Sequence, residues 1–148
     1  MKTIKKLLAL CIIIMSSYAA QAQILTSSRP YLFNNVSEKL PAAITELEKA
    51  FTAPEGDTLQ MKLNNFLFKG IITSSIKRYD NLYSVIIKSP SLHNTLFSIS
   101  KRINDDKSIT YVGRIINENY ADGFELVQGN DGRYALNKIQ TEVLLQDY

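Results

Sequence analysis

The sequence predicts an α+β fold: one N-terminal amphipathic helix packed on a curved antiparallel β-meander of six or seven strands, open or partly closed into a barrel. Three observations predict it. Residues 37–52 carry apolar side chains at three- and four-residue spacing. From Thr58 to Ile139 the apolar period drops to two. The links between alternating runs are short and rich in Asn, Asp and Gly, which favours pairing between sequence neighbours.

The first stretch reads as a leader rather than as structure. Lys2, Lys5 and Lys6 make its start basic, Leu7–Met15 is apolar, and Ala20-Gln21-Ala22 is a small-residue cleavage signal. The expectation is a signal peptide over 1–22, cut between Ala22 and Gln23. The apolar run is too short to span a bilayer, which takes about 20 residues. Leu8-Ala9-Leu10-Cys11 is a poor lipidation signal, because Leu10 is not small and Cys11 sits inside the apolar run. The mature chain, 23–148, is then one globular domain destined for the periplasm or the medium. Its helix falls at about 37–52 and its meander at about 58–139. Cys11 is the only cysteine, so the mature domain has no disulfide and depends on packing.

Loss of the three leader lysines takes the net charge from +3 to zero, so the basic pI of the precursor does not argue for nucleic acid. The charge is unevenly spread. Residues 58–116 hold nine basic residues against three acidic, whereas 117–148 hold two against six. Such a basic middle segment either neutralises neighbouring strands or meets an anionic partner.

The elements follow in order. Residues 23–35 have no clear period and read either as a flexible lead-in or as a segment docking Tyr31, Leu32 and Phe33; Pro30 blocks a helix there. Ser37 is the expected helix cap, with Leu40, Ala43, Ile44, Leu47, Ala50 and Phe51 forming the stripe. Pro41 is awkward in that frame, and a start at Pro41 is the alternative. Ala53-Pro54-Glu55-Gly56-Asp57 ends the helix.

Leu59, Met61 and Leu63 begin the strands, and Asn64-Asn65 turns the chain. Phe66, Phe68, Gly70 and Ile72 alternate in a strand that can run to Tyr79. Asp80-Asn81 is a two-residue hairpin link. Leu82–Ser89 is a strand whose core face is left open between Tyr83/Val85/Ile87 and Leu82/Ser84/Ile86.

The central hairpin spans 94–117. Setting Ile103 against Ile109 brings Ile99 to Gly113 and Phe97 to Ile115. One face then holds Phe97, Ile99, Ile103, Ile109, Tyr111 and Ile115 with Lys101, and the other holds Ser98, Ser100, Arg102, Thr110 and Arg114. Gly113 reads as a bulge or a close contact. In the last hairpin, a three-residue loop with Gly132 left-handed pairs Gln128 with Tyr134, Leu126 with Leu136 and Phe124 with Lys138. Residues 141–146 suggest a short terminal helix.

The motifs of familiar chemistries are missing. There is no phosphate-cradling glycine loop, dinucleotide fingerprint or nucleophile elbow. His93 is the only histidine and sits in a turn, so neither a zinc site nor a His-based triad is indicated. Asp105-Asp106 and Asn130-Asp131 fit turn geometry. No metal or cofactor is expected. Glu118, Asp122 and Glu125 are the carboxylates nearest in sequence for acid/base chemistry.

The positive feature is Tyr beside Lys and Arg. Lys77, Arg78 and Tyr79 precede a turn, and Arg102 and Arg114 share a face of the central hairpin. These five are the expected binding residues. Three functions follow: a non-catalytic exported binding or interaction module, a carrier of a small apolar ligand between helix and sheet lined by Phe66, Phe68, Phe97 and Tyr111, or a carboxylate-dependent hydrolase. The first is preferred, and enzymatic activity is left unassigned. The expected partner is another exported protein or an anionic polymer or glycan, with no nucleic acid and no membrane span. A homodimer through a sheet edge is also open to it.

Overall fold

A computed structural model describes residues 29–141. The predicted signal peptide, the start of the lead-in and nearly all of the predicted terminal helix lie outside the described residues.

Eight strands form one antiparallel sheet, two or one more than the sequence predicts. They are β1 (Lys39–Ala42), β2 (Thr58–Leu63), β3 (Phe66–Tyr79), β4 (Leu82–Ser89), β5 (Thr95–Ile103), β6 (Ile109–Ile116), β7 (Asp122–Gln128) and β8 (Tyr134–Gln140). β2 to β8 are a meander in sequence order, and β1 adds to the far edge beside β8. The sheet curls into a half-barrel. Its end strands β1 and β2 approach each other without pairing.

The extra strand corrects the helix boundary. The helix α1 is Ile44–Thr52, not 37–52, and Ala43 rather than Ser37 occupies the cap. Residues 39–42 pair with β8, Leu40 facing Leu136 and Ala42 facing Tyr134. Proline removes a backbone donor, which a sheet edge tolerates and a helix interior does not, and it pushes the preceding residue to extended geometry. Pro41 therefore lies in β1 opposite Ala135, with Leu40 and Ala42 turned inward.

The chain then crosses from the β1 edge to the β2 edge by way of α1. Leu47 and Ala50 are buried on the concave face. Glu46 of α1 closes part of the β2 edge, accepting the backbone N–H of Lys62 at 2.7 Å. It also accepts Lys49 Nζ at 2.7 Å, and that bond, reinforced by the Lys62 N–H, holds the carboxyl below its ordinary range.

The predicted registers hold. Ile103, Ile99 and Phe97 face Ile109, Gly113 and Ile115, and Gln128, Leu126 and Phe124 face Tyr134, Leu136 and Lys138. Gly132 is left-handed (φ 76°). The face left open in β4 is resolved: Val85 and Ile87 point inward, and Ser89 is buried with its hydroxyl donating to Lys69 O at 2.6 Å. Gly113 marks close packing without a bulge; a Cβ there would lie 2.8 Å from Ser98 O. The predicted inner face of the central hairpin is buried at Phe97, Ile99, Tyr111 and Ile115, whereas Ile109 is exposed because the hairpin tip projects beyond the core.

The described part of the lead-in is docked. Phe33 is buried, packing edge-on against Phe124 at 5.1 Å. The buried Asp122 accepts the backbone N–H of Leu32 at 2.6 Å and of Phe33 at 2.8 Å. Phe68 and Phe97 meet edge-on at 5.6 Å in the middle of the core.

Candidate interaction surface

Alternation along the strands decides which side chains reach the convex outer face of the half-barrel. Outward positions of β2 and β3 include Lys62, Leu67, Lys69 and Ile71. Those of β4 are Leu82, Ser84, Ile86 and Lys88, paired in register with Arg102, Ser100, Ser98 and Leu96 of β5. β6 adds Thr110, Val112, Arg114 and Ile116. The outward strand positions of β2 to β6 thus hold five cations, Lys62, Lys69, Lys88, Arg102 and Arg114, and no carboxylate. Between them stand aliphatics unusually open to solvent, among them Leu67 (56% exposed) and Val112 (58%).

Shallow depressions run end to end along β5 and β6. The first is bounded by Tyr79, Leu82 and Arg102. The next shares Arg102 and continues over Ser100 and Val112. A third reaches Ser98 and Arg114. A larger basin of about 610 Å³ follows, walled by Lys88, His93, Leu96, Arg114, Ile116 and Asn117. Arg102 stands four residues from Ser98, the partner of Arg114, so the two guanidinium groups are staggered by about 13 Å along the strands.

The sequence-predicted residues divide. Arg102 and Arg114 share the outer face, and Tyr79, 70% exposed, joins Arg102 at one end of the track. Arg114 donates through Nε and Nη2 to Glu125 Oε1 of β7, at 3.0 and 2.7 Å. Lys77 does not join them. It pairs with Tyr83, on the inward side, and bonds Asp80 at 2.9 Å. That bond raises the Lys77 pKa and lowers that of Asp80. Arg78 lies exposed at the register shift between Lys77 and Tyr79.

Lys88, His93 and Asn117, which wall the basin, were not among the binding residues expected from the sequence. Lys88 could have been found once the inward face of β4 was known, because Ser89 going in sends Lys88 out.

Two of the three carboxylates considered for acid/base chemistry, Asp122 and Glu125, have other work. Asp122 holds the lead-in, and Glu125, on the opposite side of β7, holds Arg114. Asp106 accepts the backbone N–H and hydroxyl of Ser108, bonds that lower its pKa. Among the described residues no group of three or more His, Cys, Asp or Glu side chains is placed to hold a metal ion. No helix among them is long and apolar enough to cross a membrane.

Comparison with family models, with curated proteins and with solved structures returns no match.

Proposed function

We propose that the protein is an exported, non-catalytic binding module that docks an acidic partner protein on the outer face of β2 to β6. Export rests on the basic, apolar and small-residue pattern of residues 1–22. The docking face rests on one observation: five outward cations with no carboxylate among them, interleaved with exposed aliphatics. Cations select an acidic surface and speed encounter, while the aliphatics supply the area that desolvates on contact. A sugar polymer would use the charges and leave Leu67 and Val112 unmatched. The interior offers weaker support for a carrier, because Phe68 and Phe97 are fully buried against each other and Tyr111 packs on Tyr134 at 5.4 Å.

Native mass spectrometry of the mature chain from its own exported fraction tests the reading. The expected species is a complex with a second protein that disappears when Arg102 and Arg114 are both changed to Glu. A complex indifferent to that reversal overturns the proposed face. A monomer carrying a small apolar adduct overturns the module in favour of the carrier.

A further inference from the structure

The basin at the end of the outer track is walled by two loops that share a buried hydrogen-bonding side chain. His93 and Asn94 are consecutive left-handed residues, with φ of 54° and 64°. Side chains with a Cβ adopt this conformation at a cost, and it persists where the surroundings enforce it. Asn117 does the holding. It is 6% exposed, and its Nδ2 donates to His93 O at 2.9 Å and to Thr95 Oγ1 at 3.2 Å. Its Oδ1 accepts the Asn119 N–H at 3.0 Å. The His93 ring rests on Tyr120 at 5.7 Å. Both loops that rim the basin are therefore tied to one buried amide.

Into this frame point Lys88 and Arg114. None of the salt bridges among the described residues includes Lys88. Arg114 spends two of its five N–H donors on Glu125 and keeps the rest. The pair with Glu125 is nearly half exposed and neutralises the guanidinium only in part. Glu118 is the one carboxylate on the rim. Leu96 and Ile116 give the basin an apolar wall.

We infer that this basin is the anchor of the docking face: a pre-formed pocket that takes a side-chain carboxylate of an acidic, aliphatic-bearing segment of the partner, with Lys88 and Arg114 as donors. The inference rests on the docking-face reading. The segment then runs along the track, over Ser98 and Ser100 toward Arg102. A pre-formed pocket spares the ordering cost that a loose cluster of cations would meet on binding. Charge-assisted bonds to a carboxylate are the strong ones a partly enclosed site can make.

Backbone NMR of the isotopically labelled mature chain supplies the test. The probe is a capped six-residue peptide alternating Glu with Val or Ser, and its Gln counterpart is the control. The Glu peptide should move amide signals at 88, 93–98 and 114–119, and the Gln peptide should not. Lys88→Gln and Arg114→Gln should each weaken binding about fivefold, and Arg102→Gln less than twofold. Signals that move mainly around Tyr79 and Arg102 leave the docking face standing and overturn the anchor. No movement anywhere on the outer face overturns both. Dextran sulfate moving the basin signals where the peptide does not overturns the carboxylate and assigns the pocket to a sulfated polymer. Lys88 and Arg114 are exposed, so the variants should keep the dispersed spectrum of the folded protein.

Discussion

Glu48 of α1 accepts the phenolic proton of Tyr111 of β6, joining residues 63 positions apart. The same carboxylate accepts Lys101 Nζ of β5 at 2.8 Å, and Lys101 lies 5.7 Å from the centre of the Phe51 ring. A nine-residue helix with no side-chain cap is marginal on its own. The cluster, with buried Leu47 and Ala50, fastens it across the concave face.

Breaking that cluster should loosen the helix more than the sheet. Glu48→Gln and Tyr111→Phe should each cost about 1–2 kcal/mol, since the bonds are charge-assisted but partly solvated. The double variant should cost less than the sum, with a coupling energy of about 1 kcal/mol. Urea denaturation of the four proteins gives the cycle; strict additivity would show that the bond contributes nothing.

The same pair makes stability depend on pH at both ends. Burial would raise the Glu48 pKa, but the bonds from Lys101 and Tyr111 outweigh it and the net direction is down. A lowered carboxyl gives stability that is present above its unfolded value and lost as pH falls through the folded one, so the loss begins below about pH 4.5. Tyr111 moves the other way, pushed up first by burial and then by Glu48. Its contribution is complete below about pH 10 and is lost as pH rises beyond it. Melting temperatures across pH should fall on both sides, and Tyr111→Phe should flatten the alkaline limb and shrink the acid one in part, because Lys101 still holds the Glu48 carboxyl down.

Asp122 tests the docking of the lead-in. Removing its carboxylate leaves the backbone N–H groups of Leu32 and Phe33 without their acceptor in a buried setting. Asp122→Ala should cost about 2–3 kcal/mol. Hydrogen exchange should quicken at Leu32 and Phe33 well before it does in β5. Unchanged exchange at those two amides would remove Asp122 from this role.

Gly123 is a contact glycine. A Cβ there would sit 2.5 Å from the carbonyl oxygen of Ile115, a backbone atom that cannot step aside. β6 and β7 are paired at only three positions, so the separation falls on the weakest seam of the meander. Gly123→Ala should lower stability by about 1–3 kcal/mol in thermal melts. At Gly132, whose surroundings are open, the same change is strained only by the positive φ and should cost about 1–2 kcal/mol.

By itself the sequence determined the neighbour-to-neighbour order of the meander and the register of two of its hairpins. Alternation and turn residues set the registers of the β5–β6 and β7–β8 hairpins, because register is a local property of two adjacent strands and the link between them. Ile103 opposite Ile109 and Leu126 opposite Leu136 follow from that alone. Tertiary structure decided what depends on distant partners. Leu40 fits a helical stripe with Ala43 and Ile44 about as well as it fits a strand, and only the free edge of β8 made the segment a strand. The outer face of β4, and with it Lys88, waited on which side the core would fill. The basin joins β4, the turn before β5 and the loop after β6, and no spacing along the chain announces a pocket assembled from three such segments by a buried asparagine.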